Sequence, residues 1–368
     1  MTKQTLIFPG GMAGSLAHME KCRAVGASVV GASSLSYDPN ASRYATWTHL
    51  PLLTDPDFDA ALDRVIASFE IDEIFTPHPI IWNHLHERTA SGDLAATLQN
   101  KSPSSSDAEP YRQAMAAAEL APLPIHFHAA QPALSTPEAT ALLYHAERIS
   151  GMCDRDKTRA LIEIFRSMPQ GDVVEIGSWW GKSAFITHRL AQIYSVGALL
   201  CVDPWAAENF VQNDDSGLVD KFVATIDADE AHRIFTINLL PYARGDVNYL
   251  RMPAQQALEA YGAHRQVVSP EFGSTVYTGK IAALHVDGNH AYDSARADIF
   301  GWASLVADGG WIIIDDYVWP WGDGPQRAGD EYLQAHRDDI ACAFVMGTAL
   351  FVQLRRHARG DGGCSRAH

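Results

Sequence analysis

The stretch DVVEIGSWWGKSA, residues 172–184, decides the fold. Its first five residues include an apolar run interrupted only by Glu175, Gly177 and Gly181 supply a turn, and a helix opens near Ser183 and runs to about Tyr194. A strand that turns through glycine into a helix offers backbone N–H groups and a positive helix end to a ligand. Spacing separates the ligands that such a turn serves. A phosphate loop requires G-x-x-x-x-G-K-[ST]; Gly181-Lys182-Ser183 supplies the ending, but Ile176 stands where the first glycine is needed. A nicotinamide fingerprint requires G-x-G-x-x-G, and Trp179 replaces its second glycine, which makes NAD the runner-up. The same turn can also be read as a purely structural one, with both tryptophans packed against the sheet.

Outward from this turn, a helix is expected over 157–167, a strand over 199–202 ending in Asp203, a strand over 281–286, then a helix and a strand over 311–314. Alternation of this kind implies a parallel sheet. The segments IACAFVM (340–346) and ALFVQLRR (349–356) are separated only by Gly347-Thr348, too short for a parallel crossover, so an antiparallel hairpin closes the domain. The expected fold class is α/β: a doubly wound, mainly parallel sheet with an antiparallel C-terminal hairpin, preceded by a smaller Rossmann-like α/β domain. Ser-Thr-Pro-Glu at 135–138 offers an N-cap, a proline in the first turn and an early acid, and opens the second domain, 135–357.

Residues 1–90 read as strand, glycine turn, helix and strand, then a second helix with Phe58, Leu62, Val65 and Ile66 at helical spacing leading into EIFTP (73–77). Breakers and low periodicity make 91–134, with NKSPSSSDAEP inside it, a linker or mobile loop, and the Gly- and Arg-rich 358–368 a disordered tail. His126 and His128 have no third ligand nearby and are not read as a metal site.

Composition narrows the function. Hydrophobic residues make up 47% and charged residues 20% of 368 residues, ordinary values for a globular chain. A net charge of −16 without a Lys/Arg-rich run argues against nucleic acid and anionic lipid as partners. Five scattered cysteines without C-x-x-C spacing suggest neither a disulfide framework nor a zinc site, and with no targeting segment legible the expectation is a cytoplasmic protein, its oligomeric state open between monomer and homo-oligomer.

The chemistry concentrates at strand ends. LHVDGNHAY (284–292) supplies Asp287 and His290, and WIIIDDY (311–317) supplies Asp315 and Asp316; in a parallel sheet these ends face the same crevice as Asp203, where a carboxylate can accept ribose hydroxyls. Two adjacent acids opposite a third form an all-oxygen site suited to magnesium. Cation coordination lowers a hydroxyl's pKa, and His290 can take its proton near neutral pH.

Glu175-Ile176-Gly177 followed by Gly181 resembles motif I of class I S-adenosylmethionine-dependent methyltransferases. Together with VDGNHAYDSARADI (286–299) and GGWIIIDDYVWPWGDGPQRAGDEYL (309–333), residues 150–355 resemble the macrocin O-methyltransferase and cephalosporin hydroxylase-like branch of that family. The resemblance implies cofactor contacts from Glu175, Gly177, Ser178, Trp179, Gly181 and Ser183, joined by Asp203 and Asp287. It further implies a divalent metal, Mg2+, on Asp287, Asp315 and Asp316, catalysis by His290 with Asp287, and a small hydroxylated acceptor such as a sugar or natural product. The N-terminal glycine turn, Gly10, Gly11 and Gly14, with SRYATWTHLPLLTDPDF (42–58), resembles the Rossmann-like domain that precedes ATP-grasp catalytic parts. A non-catalytic S-adenosylmethionine-binding or regulatory protein and an oxidoreductase on the same fold are the competing expectations.

Overall fold

The computed structural model describes residues 3–119, 131–212 and 216–355. The chain divides into two compact units, 1–113 and 114–368. In the first, β1 (Gln4–Ile7), α1 (Ala13–Ala24), β2 (Ser28–Ser33), β3 (Thr46–His49), α2 (Phe58–Ser68), β4 (Glu73–Phe75), α3 (Pro79–Ser91) and β5 (Thr97–Leu98) follow one another. Its sheet is parallel throughout, in the order β3-β2-β1-β4-β5. The α2 face read from the sequence, Phe58, Leu62, Val65 and Ile66, is buried.

Within the stretch expected as a linker lie β5 and a helix, α4 (Pro103–Ala118). The serines and prolines that suggested a loop fall mostly in its first two turns; Glu109 then accepts from Arg112 at 2.8 Å and from Gln113 at 3.1 Å, and the last turns are alanine-rich. Residues 120–130, which include His126 and His128, and the tail 358–368 lie outside the described residues.

The second unit contains α5 (Thr136–Ala146), α6 (Arg155–Phe165), β6 (Asp172–Ile176), α7 (Lys182–Tyr194), β7 (Leu199–Val202), α8 (Leu218–Val223), α9 (Ala228–Leu239), β8 (Val247–Leu250) and α10 (Ala254–Ala263). A small antiparallel pair, β9 (Gln266–Ser269) and β10 (Gly273–Val276), precedes β11 (Ile281–Val286), α11 (Tyr292–Ala303), β12 (Val306–Ile314), α12 (Gly324–Ala335), β13 (Ile340–Met346) and β14 (Ala349–Leu354). Ser135 and Glu138 form the expected capping box of α5.

Seven strands make one sheet, β13-β14-β12-β11-β6-β7-β8. The five from β12 to β8 are parallel, and β14 runs antiparallel to both β12 and β13, the expected closing hairpin. Every residue of β6, β7 and β11 is buried, because helices cover both faces. Alternate side chains serve the two faces: Val173, Leu199 and Ile313 join Leu161, Phe185 and Phe235 on one, while Val174, Leu200 and Ile312 join Tyr261, Ile299 and Trp302 on the other. From β6 the chain winds outward to β8 and then returns to β11 on β6's other side. That reversal opens a crevice at the carboxyl ends of β6 and β11, where ligands of doubly wound sheets bind.

Candidate active site

A cavity of about 1060 Å3 occupies this crevice. Its floor is the glycine turn after β6. Gly177 adopts φ +81°, and a Cβ on it would lie 1.9 Å from the Asp287 carbonyl oxygen, so the β6 and β11 ends can approach only because this residue has no side chain. Replacing Gly177 with alanine is expected to destabilise the fold by at least about 2 kcal/mol and to abolish ligand binding at the turn; thermal denaturation and calorimetry on the variant check both.

Trp179 stands where the commoner pattern has glycine and nevertheless takes a left-handed φ of +47°. The strain, on the order of 1–3 kcal/mol for a bulky residue, is held by cross-ties: its N–H donates to Asp203 at 2.9 Å and its carbonyl accepts from the Trp205 indole at 2.9 Å. The other Asp203 oxygen accepts from the Trp205 N–H at 2.8 Å. Asp203, at the end of β7, therefore braces two backbone turns and faces the cavity. Burial pushes its carboxyl up to about 6 against the pull of the N–H groups of Trp205, Trp179 and Ser178.

Across the cavity, Asp287, Asp315 and Asp316 lie at the ends of β11 and β12, with His290 on the loop after β11. Asp316 has φ +49°, a strained turn that separates it from its neighbour. Asp316 Oδ2 lies 3.0 Å from His290 Nε2, whereas Asp315 accepts from the Thr348 hydroxyl at 3.2 Å and is paired with Lys157. Consequently the three carboxylates do not converge as one set. Among the described residues, two overlapping groups have ligand atoms within 4.8 Å of one another: His285, Asp287 and Asp315, and Asp287, His290 and Asp316. Trp319 sits edge-on to His290 at 4.4 Å between ring centres and, with Trp321, lines the cavity above the acids.

Residues 174–317 match the family described as a methyltransferase domain. That match lies within the second unit, which is to this extent similar to methyltransferase domains. Solved structures similar to the chain include the O-methyltransferase NovP (19% identity, 54% of this chain and 81% of that one, TM-score 0.40). Another is the MycE methyltransferase of the mycinamycin pathway in complex with Mg, SAH and mycinamycin VI (16%, 63% and 57%, TM-score 0.38). A third is CalS11, a TDP-rhamnose 3'-O-methyltransferase of calicheamicin biosynthesis (12%, 69% and 96%, TM-score 0.36). The chain spans little more than half of MycE's length, 57%.

Of the residues expected to contact S-adenosylmethionine, Gly177, Ser178, Trp179, Gly181, Ser183, Asp203 and Asp287 all line the cavity. Glu175 does not. It is fully buried on the α6 and α7 side of the sheet, where it accepts from His285 Nδ1 at 3.0 Å. The reason is register: Glu175 and His285 are paired residues of neighbouring parallel strands, each one residue from its strand's end, so both point to the same face.

Sequence reading also missed Lys157, which is 0% exposed on α6 and ion-paired with Asp315, with Asp287 at 4.0 Å. The signal was present: Lys157 occupies the same helical stripe as Leu161, Ile164 and Phe165, all buried. Burial alone would lower its pKa, but the Asp315 carboxylate outweighs that and holds it above the usual lysine value. Asp315 is correspondingly held well below the carboxylate range by Lys157 and His285 in spite of its burial. Asp287, desolvated and facing the Asp315 charge, is pushed well above it. Asp298, on α11, is a further wall residue not anticipated; it accepts from Gln255 at 3.1 Å, and burial pushes it up to about 6.

Proposed function

We propose that the protein is an S-adenosylmethionine-dependent O-methyltransferase, assisted by a divalent cation, that acts on a hydroxyl of a small molecule such as a sugar or natural product. The observation that carries the reading is the opposition, within one cavity, of the Gly177–Asp203 end and the Asp287–His290–Asp316 end. The first suits adenosine and the second suits a hydroxyl that must lose a proton. Methyl transfer from a sulfonium needs chiefly in-line alignment of the acceptor and removal of that proton.

In this reading Asp203 accepts ribose hydroxyls with lone pairs its backbone donors leave free, and the turn from Gly177 to Ser183 seats the rest of the cofactor. The Asp316 carboxylate, 3.0 Å from His290 Nε2, favours a proton on that nitrogen, which leaves Nδ1, without a hydrogen-bond partner among the described residues, as the basic nitrogen. Asp287 fits a hard cation either with Asp316 and His290 or with Asp315 and His285, and the unpartnered Nε2 of the 1% exposed His285 adds an orphaned polar atom at the second of these groups. Magnesium held there would lower the pKa of a coordinated hydroxyl. Trp319 and Trp321 exclude water from the acceptor side. Residues 135–357 carry the reaction, and the Rossmann-like domain, 1–90, serves as an auxiliary part.

Calorimetric titration of metal-stripped protein with S-adenosylmethionine, with NAD as control, tests the cofactor. Micromolar binding of the first alone is expected, and its absence removes the proposal. Methyl transfer to a panel of sugars and hydroxylated natural products should proceed with Mg2+ and stop in EDTA; full turnover in chelator would remove the cation.

Cofactor affinity should also depend on pH. An ionised Asp203 is the better acceptor, so protonation through about pH 6 weakens binding, by about tenfold at pH 5. For the unliganded fold the sign is opposite. A carboxyl raised in the folded state binds its proton there more tightly, so its contribution to stability falls as pH rises from about 4 to about 6. Calorimetry between pH 5 and 8, repeated on Asp298→Asn to remove the other cavity carboxyl raised to about 6, helps to separate Asp203's part. Affinity unchanged down to pH 5 would show that Asp203 does not bind the ribose as an anion.

A further inference from the structure

Lys157 stands out chemically in this site, because a lysine with no exposed surface is rare unless something compensates its charge. The compensation here comes from the carboxylates that a divalent cation would use. Its ammonium pairs with Asp315 Oδ2 and lies 4.0 Å from Asp287 Oδ2. The remaining Asp315 oxygen accepts from Thr348, and His285 Nε2 approaches Oδ2 at 3.8 Å, so donors surround this carboxylate and little of it faces the cavity. Asp316 is different: among the described residues its ion-pair partner is His290, and 21% of its side chain is exposed. Asp287 is similarly open, at 26%.

We propose that Lys157 is the built-in cation of the acid cluster: it claims Asp315, shuts the inner group of His285, Asp287 and Asp315 to metal, and confines a divalent ion to Asp287 and Asp316. Charge explains the arrangement. With all three ionised, the carboxylates carry three negative charges; one ammonium leaves two, which one divalent ion neutralises. Lys157 is thus a positioning residue that fixes the number and place of metal ions, and Asp315 is its counter-ion rather than a metal ligand. This inference rests on the cation-assisted reading above.

The test is Mn2+ binding to the full chain without cofactor or acceptor, measured by electron paramagnetic resonance and calorimetry, with circular dichroism to verify folding. One Mn2+ per wild-type chain is expected. Asp316→Asn should weaken it at least tenfold, whereas Asp315→Asn should leave it within threefold. Lys157→Met should raise the affinity at least tenfold or add a second equivalent. The inference is overturned if Asp315→Asn loses as much affinity as Asp316→Asn, or if a folded Lys157→Met protein keeps wild-type affinity and stoichiometry. Should Lys157→Met not fold, the two aspartate variants decide alone. Wild-type protein that takes up no Mn2+ would remove the cation-assisted reading itself. Uptake gained in Lys157→Met would then still establish the lysine as the internal cation, and none in that variant would overturn this inference as well.

Discussion

Replacing His290 with alanine is expected to lower kcat by about 100- to 10,000-fold, the range for loss of a positioned general base, while the affinity for S-adenosylmethionine stays within about threefold. The split follows from geometry. His290 reaches Asp316 and packs beside Trp319 at the acid end of the cavity, whereas Asp203 is held by the backbone of Trp179 and Trp205. The His290 backbone N–H donates to Gln212 at 2.8 Å, a bond that alanine retains, so the loop should hold its course. Imidazole added to the variant should restore part of the rate, with a pH dependence that follows the added base. A variant that turns over at more than a third of the wild-type rate would transfer the base role elsewhere, with Asp287 the next group to test.

The complementary result is expected at the other end. Asp203→Ala should weaken S-adenosylmethionine binding by about 100-fold or more, since hydrogen bonds to a charged group contribute about 1.5–3 kcal/mol each, and ribose offers two hydroxyls. A second loss compounds the first. Without the carboxylate, the N–H groups of Trp179 and Trp205 lose their acceptor, and of these cross-ties the one from the Trp205 indole to the Trp179 carbonyl is left to offset the left-handed backbones of the two tryptophans, φ +47° and +39°. Calorimetry with S-adenosylhomocysteine reads the loss directly; affinity within threefold of wild type would place the adenosine elsewhere. Asp203→Asn separates the two contributions, because an asparagine oxygen can retain one brace.

Much of this arrangement is legible in the chain because it rests on local rules. Gly177 and Gly181 mark the turn, apolar runs mark β6, β11 and β12, and a two-residue gap forces the β13–β14 hairpin. In parallel sheets all strand ends lie on one side, so Asp203, Asp287, Asp315 and Asp316 could be placed together from their positions alone. What local rules cannot supply is direction. Whether adjacent acids share a ligand depends on the φ of Asp316, and whether Glu175 meets the cavity depends on which face of β6 it occupies. Lys157 lies 158 residues from its partner Asp315, a pairing fixed only by how α6 packs on the sheet. The strand β8, with Val247 and Asn248 fully buried but only four residues long, gave too short a pattern to single out.

The hairpin turn at Gly347-Thr348 ties a late part of the second unit to an early one through two carboxylates. Thr348 donates its hydroxyl to Asp315 and its N–H, at 3.4 Å, to Asp154, whose other oxygen caps α6 one turn before Lys157 enters the cluster. Synthesis on the ribosome therefore yields α6 early and its clasp last. A nascent chain that has emerged only through α12 has every cavity acid and the buried lysine, yet no β14 to complete the sheet edge and no threonine to orient Asp315. Activity should thus arise late and all at once during translation, and splitting the gene before β13 would yield a fragment able to recruit cofactor residues but unable to set the acid end for reaction.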